Sequence, residues 1–186
     1  MKRLFVSVAF VLIVSPLFAQ TADSFITLEN FGGGVTVSVP LLDYSQVSSL
    51  GMGLQGRIEL ATPSIPDLRI IGCLSGLYYL SNLESISGLL SFGAHIGAGW
   101  QFTLSPRWGV SPSVGFGGLL HIALADSPSV FMDPAFTFGV AGSLRLSDNL
   151  EMYVEPAYQI FPEQGMTGHQ VLVSAGIKIL HGDDNR

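Results

Sequence analysis

The sequence contains little cysteine, little charge and, beyond its first residues, no long apolar run. Its one cysteine, Cys73, has no partner for an internal disulfide, so other contacts must stabilise the fold. Charged residues make up 12% of the chain, about half of the roughly 25% usual in a soluble protein. After the first twenty or so residues, no apolar run approaches the roughly 20 residues of a membrane-spanning helix. These shortages count against an ordinary soluble protein, a disulfide-stabilised domain and a helical membrane protein.

Basic residues are also few, and two of the 8 stand at the very start of the chain. Lys2 and Arg3 precede the apolar stretch Leu4 to Val14, and Leu17-Phe18-Ala19 follow as a small-residue cleavage site. This arrangement predicts a signal peptide over residues 1–19 that is cleaved, because its apolar stretch is about half as long as a spanning helix. Without Lys2 and Arg3 the formal net charge changes from −6 to −8, so nucleic acid is not expected as a partner.

Apolar residues are present, but they alternate with small or polar ones, most regularly from Ile86 to Phe102. Such alternation gives a β-strand one apolar face and one polar face. This run is about three times the roughly 5–6 residues of a typical strand, and a strand crosses a bilayer at a barrel's tilt with about 9–11 residues. The pattern therefore predicts a strand of a transmembrane barrel.

The alternation recurs in eight segments that are separated by turn residues. The predicted strands cover residues 25–39, 51–60, 68–80, 86–102, 108–121, 131–146, 149–161 and 169–180. An even number of antiparallel strands is typical of single-chain bacterial outer-membrane barrels. We therefore predict an all-β fold: an eight-stranded antiparallel up-and-down transmembrane β-barrel over residues 20–180, followed by a short periplasmic tail at 181–186.

The connections between the predicted strands are of two kinds. Tight turns are predicted at 61–67, 106–107 and 147–149, and longer links at 40–50, 81–85, 121–130 and 162–168. Outer-membrane barrels have their short turns in the periplasm and their longer loops outside. The sequence therefore predicts a protein of the outer membrane of a diderm bacterium, with its N- and C-termini in the periplasm.

Charged residues in the predicted strands stand opposite the apolar residues. A lysine or arginine that faces lipid near the membrane midplane costs about 2–4 kcal/mol, which accounts for this segregation. We predict that these residues line the lumen and pair with one another as an ion-pair network: Arg57, Glu59, Arg69, Arg145, Glu151, Glu155 and Lys178. His95 lies in the same inner register and is expected to be a hydrogen-bonded lumen residue, since no second ligand stands at metal-site spacing.

Aromatic residues concentrate near the two ends of the predicted strands. Such residues form girdles at both membrane interfaces of outer-membrane barrels. The predicted girdle residues are Trp100, Phe102 and Trp108 at one end and Tyr78, Phe136 and Tyr158 at the other.

Pro112 and Pro156 are the residues that fit a closed barrel least well. Each removes a hydrogen-bond donor from the interior of a strand, where proline is normally confined to bulges. A bulge is therefore expected at each of these positions.

With these residues in place, the chain resembles the small eight-stranded outer-membrane barrels, the class of the OmpA transmembrane domain, OmpX and OmpW. Leu144 to Ile160, LRLSDNLEMYVEPAYQI, resembles the strand, tight turn and strand that recur in that class. The class often ends in an aromatic residue, whereas the last strand here ends in Leu180. The resemblance implies outer-membrane lipids as partners and the barrel-assembly machinery as a partner during biogenesis.

The sequence leaves the specific role open. A narrow barrel filled by ion pairs implies a structural role, but a sector lined by inner glycines could leave a narrow passage for ions or small solutes: Gly93, Gly97, Gly99, Gly109, Gly115 and Gly117. A surface adhesin is the alternative, although the predicted outer links are short.

A lipid-modifying enzyme is the less favoured alternative. It would draw on rim residues near the outer strand ends: His121, His169, Asp126, Asp133 and Ser127. Nothing in their spacing brings a nucleophile and a base together. We therefore expect no enzymatic activity, no cofactor and no metal.

Overall fold

The structure, a computed structural model, describes residues 26–163 and 166–181, so the predicted signal peptide and the residues after His181 lie outside the described residues. Eight long strands dominate: β1 Thr27–Leu41, β2 Ser48–Thr62, β3 Ile65–Ser81, β4 Gly88–Trp100, β5 Trp108–Leu124, β6 Ser129–Ser147, β7 Leu150–Glu163 and β8 Met166–Leu180. Phe102–Thr103 extend β4 by pairing with β5. A four-residue helix, α1, covers Tyr44–Val47. Among the described residues, no helix has both the length and the apolar character needed to cross a membrane.

The strands form one closed sheet. Each strand pairs antiparallel with the next, and β1 also pairs with β8, from Asn30 opposite Leu180 to Leu41 opposite His169. The prediction of an eight-stranded, all-antiparallel, up-and-down barrel is confirmed. We call the end where β1 begins and β8 finishes the terminal end, and the opposite end, near α1, the loop end.

The alternating sequence pattern gives the barrel different outer and inner surfaces. On β2, Met52, Leu54 and Ile58 point outward and are 60%, 67% and 47% exposed, whereas Arg57 and Glu59 point inward and are 2% and 4% exposed. Because successive side chains of a strand point to opposite faces, the same division continues around the sheet. The barrel therefore has an apolar exterior and a polar interior, the reverse of a soluble barrel.

Three of the four connections at the loop end are shorter than the predicted links 40–50, 121–130 and 162–168, whereas the link predicted at 81–85 covers 82–87. Three connections lie there, at residues 42–47, 82–87 and 125–128. Between the end of β7 at Glu163 and the start of β8 at Met166 there are only two residues. The predicted links 121–130 and 162–168 are mostly strand, because pairing continues to Ala123 opposite Ser129 and to Glu163 opposite Met166.

The expected bulges at Pro112 and Pro156 do not form. Pro112 pairs with Val140, and Pro156 pairs with Val173, without a shift of register. In an antiparallel ladder each residue directs its N–H and C=O to one neighbouring strand only. Each proline therefore disturbs the pairing on one side only. The pair of Pro112 with Trp100 is not made, and beside Pro156 neither Val140 nor Ala141 is paired with β7. The ladder on the other side of each proline, β5–β6 for Pro112 and β7–β8 for Pro156, keeps its register without a bulge.

Candidate functional site

Five charged side chains meet inside the barrel toward the terminal end, and we call them the ion cluster: Arg57, Glu59, Glu151, Glu155 and Lys178. Arg57 Nε donates to Glu59 Oε1 at 2.6 Å, and its Nη1 pairs with Glu155 Oε2. Lys178 Nζ lies 3.0 Å from both Glu59 Oε1 and Glu151 Oε1. Glu59 therefore links the two cations.

The ion cluster is buried except for Glu151, which is half-buried, and polar and aromatic groups surround it. Asn30 Nδ2 donates to the second oxygen of Glu59 at 2.8 Å. The Tyr153 ring centroid lies 5.6 Å from Lys178 Nζ and 6.0 Å from Arg57 Cζ. Buried charges are tolerated only when they are paired and hydrogen-bonded, and three carboxylates against two cations leave this group with a formal charge near −1.

Two residues of the predicted network lie elsewhere. Arg69 is near the terminal end, where its Nη2 donates to Glu29 Oε1 at 2.7 Å, so it forms a separate pair. Arg145 is exposed and stands opposite Glu151 on β7, but the described residues provide it with no ion pair within 4.0 Å. Arg145 stands two residues before the end of β6, where water can solvate its side chain.

A layer of uncharged polar groups crosses the lumen nearer the loop end, and we call it the glutamine layer: Ser38, Tyr79, Gln159 and Gln170. Gln170 Oε1 accepts hydrogen bonds from Tyr79 OH at 2.6 Å and from Ser38 Oγ at 2.7 Å. Gln170 Nε2 donates to Gln159 Oε1 at 2.5 Å. Amide and hydroxyl groups of four strands thus satisfy one another across the lumen.

Between the ion cluster and the glutamine layer lies a small cavity. The space open to the centres of water molecules is about 40 Å³, and a single water needs roughly 10–15 Å³ on this measure. His95, Ser113 and Thr137 line it, together with Gly97 and Gly115, which contribute no side chain. The cavity therefore lies at part of the glycine-lined sector expected from the sequence, and it is large enough for about three or four waters.

Apolar and aromatic side chains fill the loop end of the lumen, and we call them the loop-end cluster: Tyr44, Leu77, Tyr79, Leu89, Leu119, Ala123, Ala135 and Phe161. Tyr44, carried by α1, meets the Phe161 ring edge-on with 4.9 Å between centroids. Tyr44 and Phe161 are 1% and 0% exposed, so they close this end of the lumen.

The predicted girdle residues are mostly on the exterior. Trp100, Phe102 and Trp108 are 40%, 49% and 56% exposed near the terminal end. Nearer the loop end, Tyr78 and Phe136 are exposed, while Tyr158 is half-buried and its hydroxyl lies 2.7 Å from His169 Nδ1.

The rim residues considered for catalysis do not form a hydrogen-bonded group. His121 is buried, and within the described residues neither of its ring nitrogens has a hydrogen-bond partner. His169 lies on the exterior beside Tyr158, and Asp126 and Ser127 lie in an exposed connection. His95 lines the cavity, and no cluster of three or more metal-binding side chains occurs in the described ranges.

Sequence reasoning missed four aromatic residues that fill the lumen: Tyr44, Tyr79, Tyr153 and Phe161. Tyr153 and Phe161 share the inner register of Glu151 and Glu155 on β7, so strict alternation along that strand could have found them. Tyr44 lies in a connection, where strand alternation has no bearing on its direction.

An apolar exterior, a filled polar lumen and up-and-down closure define an eight-stranded barrel of the outer-membrane type. Among solved structures, Neisserial surface protein A has a TM-score of 0.59 and 16% identity, covering 84% of this chain and 99% of that one. Ail, the attachment invasion locus protein of Yersinia pestis, has a TM-score of 0.54 and 11% identity, covering 83% and 99%. No protein-family model matches the sequence, and no curated protein matches it. The resemblance to small outer-membrane barrels is confirmed as a shared fold.

Proposed function

We propose that this protein is an integral barrel of a diderm outer membrane with a closed lumen and a structural role in that membrane. The observation that carries the proposal is the double closure of the lumen. The ion cluster blocks it toward the terminal end, and the glutamine layer and loop-end cluster block it toward the loop end. The cavity between them holds only a few waters, so a continuous path for solutes is lacking among the described residues.

Single-channel recording tests the closed lumen directly. The full chain, refolded and inserted into planar bilayers, is expected to give no conductance above that of the lipid alone. Steady unitary currents from the wild-type protein would contradict the structural role and favour a narrow passage.

A narrow passage for ions is the second candidate, and the cavity is the observation that favours it. It is lined by polar groups and by Gly97 and Gly115, so it could form the middle of a hydrated path. Such a path requires both closures to open. If it exists, Tyr44→Ala should raise the conductance, because Tyr44 helps to close the loop end.

The outer-membrane location rests on the apolar exterior and on the fold shared with outer-membrane proteins. The expected partners are outer-membrane lipids, with the barrel-assembly machinery acting during biogenesis. Folded protein should fractionate with outer membranes and migrate differently on a gel before and after boiling. Recovery in the soluble periplasmic fraction would overturn the location.

The orientation proposed is periplasmic termini with the loop end outside, as expected from the even strand number. It can be tested in intact cells with membrane-impermeant thiol reagents. With Cys73 replaced by alanine, Ser45→Cys in α1 should be labelled from outside, whereas Ser105→Cys at the terminal end should not. The reverse labelling pattern would contradict the orientation.

A further inference from the structure

The ladder between β6 and β7 is interrupted within both strands, and its pairs stop short of the loop end. Its pairs run from Phe136 to Gly139 and resume at Gly142, while neither Val140 nor Ala141 has a partner across the ladder. The β7–β8 ladder, by contrast, is continuous from Leu150 to Glu163. We call the β6–β7 contact the seam.

Prolines explain these interruptions. Pro156 keeps its pair with Val173 on β8 and makes none with Val140, so its missing N–H lies on the seam. Alternate residues point to the same neighbouring strand, so Pro162 also faces the seam. The last pair of the seam toward the loop end joins Phe136 and Ile160. If the same register is continued by two residues, Pro134 lies opposite Pro162. Two donors are missing there, and no pair forms between the described residues of the two strands from residue 135 toward the loop end.

This gap opens onto the loop-end cluster. Ala135 and Phe161, the first unpaired inward residues on its two sides, are 2% and 0% exposed and belong to that cluster. Outside, Met132 and Phe136 flank Pro134 and are 52% and 46% exposed. At these four residues the borders of the gap are thus apolar on both faces, and their outer face is continuous with the apolar exterior.

Three unpaired polar groups lie close to the gap on adjacent strands. Ser91 Oγ, both ring nitrogens of His121 and Asp133 Oδ2 make no hydrogen bond within the described residues. Ser91 is directly opposite His121 in the β4–β5 ladder, and Asp133 is opposite Leu119, two residues before His121, in the β5–β6 ladder. Ser91 and His121 are 1% and 0% exposed, and unsatisfied buried polar groups are costly, so each calls for an explanation.

We propose that the loop end of the lumen binds a single-chain lipid, whose acyl chain enters through the seam between Pro134 and Pro162. Ser91, His121 and Asp133 would bind the lipid's uncharged polar end. This end must donate hydrogen bonds, because the Asp133 carboxylate accepts them and repels anionic groups. The inference rests on the membrane location proposed above.

Binding requires space that Tyr44 and Phe161 now fill. Tyr44 is carried by the 42–47 connection, in which Leu42 has a φ of 52°, a left-handed conformation that is uncommon for leucine. An outward movement of this connection would remove the Tyr44 ring from the lumen. The acyl chain then replaces the aromatic contacts of Tyr44 and Phe161 with apolar contacts of its own.

The experiment uses the full chain in phosphatidylcholine vesicles that contain a monoacylglycerol with a diazirine on its acyl chain. After photolysis, mass spectrometry should find adducts on inward residues of the loop end, such as Leu119 and Phe161. Adducts confined to outward residues such as Phe116 would overturn the proposal. The gel shift before and after boiling confirms a folded barrel, so this failure differs from failure of the membrane location.

The matched variants act on the seam without removing any lipid-contacting group. Pro134→Ala with Pro162→Ala restores two donors to the seam, and the two hydrogen bonds should lower inward adducts about tenfold. Pro112→Ala restores a donor to the β4–β5 ladder, away from the gap, and should leave inward adducts unchanged. Equal adduct yields in the two variants would contradict entry through the seam.

Two further measurements test the polar end of the site. Unlabelled monoacylglycerol should compete for the inward adducts, whereas palmitate, which is anionic, should compete weakly. His121→Phe should lower the inward adducts while leaving the outward adducts unchanged. Equal competition by the two lipids, or no effect of His121→Phe, would contradict the role given to the three polar groups.

Discussion

At the scale of single residues, pairing decides which charges the lumen tolerates. Arg57 and Lys178 are each 2% exposed, and each contacts two carboxylates. Arg145 has the same side chain as Arg57, but it is exposed and has no ion pair among the described residues. The energetic importance of a charged residue in this barrel therefore follows from its depth and partners.

Removing one carboxylate from the ion cluster should destabilise the barrel strongly. Glu155→Ala leaves Arg57 buried with Glu59 as its remaining carboxylate partner, and breaking a buried pair costs about 3–5 kcal/mol. The measurement is the free energy of unfolding in urea, with gel mobility in detergent as the readout of the folded fraction. Arg145→Ala, the exposed control, should change it by less than about 0.5 kcal/mol. Similar small changes in both variants would show that Glu155 does not pair as described.

Two glycines at the cavity should differ in their tolerance of a methyl group. A Cβ at Gly97 would lie 2.3 Å from the Val114 carbonyl oxygen, whereas the nearest atom to a Cβ at Gly115 is 3.4 Å away. Gly97→Ala should therefore destabilise the barrel by about 1–3 kcal/mol through overpacking. Gly115→Ala should be nearly neutral in the same urea titration. Equal losses would contradict the packing described around the cavity.

At the scale of elements, the strands differ in how firmly they hold their neighbours. The β5–β6 ladder runs without a break from Trp108 to Ala123, whereas the β6–β7 seam is interrupted twice. Pro156 accounts for the interruption at Val140 and Ala141, because a proline that faces a ladder removes a donor from it. The seam is therefore the contact at which we expect the barrel to open first.

Amide hydrogen exchange should show this difference between ladders. The amides of Phe136 and Phe138, which lie beside unmade pairs of the seam, should exchange faster than those of Val171 and Val173 on β8. Local opening controls exchange in folded proteins, and fewer hydrogen bonds make opening easier. Nuclear magnetic resonance in detergent micelles measures each rate. Equal exchange rates for the two seam amides and the two β8 amides would contradict a weak seam.

At the scale of the whole molecule, the exterior orients the barrel in a bilayer. Outward side chains between the two ends are apolar or small, and the tryptophans lie near the terminal end. Tryptophan favours the membrane interface, where its ring is in apolar surroundings and its N–H can reach polar groups. The terminal end should thus mark one interface of the membrane.

Quenching of tryptophan fluorescence by brominated lipids tests this depth. Trp100 and Trp108 should be quenched more by bromine near the headgroup than by bromine near the end of the acyl chain. As a control, Phe116→Trp in a chain whose two native tryptophans are phenylalanine should show the opposite order. Phe116 points outward near the middle of β5. The same order in both proteins would contradict the assigned depth.

The sequence by itself determined the strands and the direction of most of their side chains. The two-residue period predicted eight strands, the outward apolar face and the inward position of Arg57, Glu59, Glu155 and Lys178. This information is local, because each strand's geometry sends successive side chains to opposite faces. The predicted bounds were wrong at the loop end of several strands, where pairing continues into the predicted links 40–50, 121–130 and 162–168.

Only the tertiary structure decided which inward residues meet. Arg57 and Glu155, separated by 98 positions, come together because the sheet closes with a particular register. The same closure separates Arg69 from the ion cluster and sets Pro134 opposite Pro162. Tyr44 enters the lumen from a connection, outside the strand period. Period fixes the face on which a side chain lies, whereas its height in the barrel and its neighbours depend on how all eight strands pair.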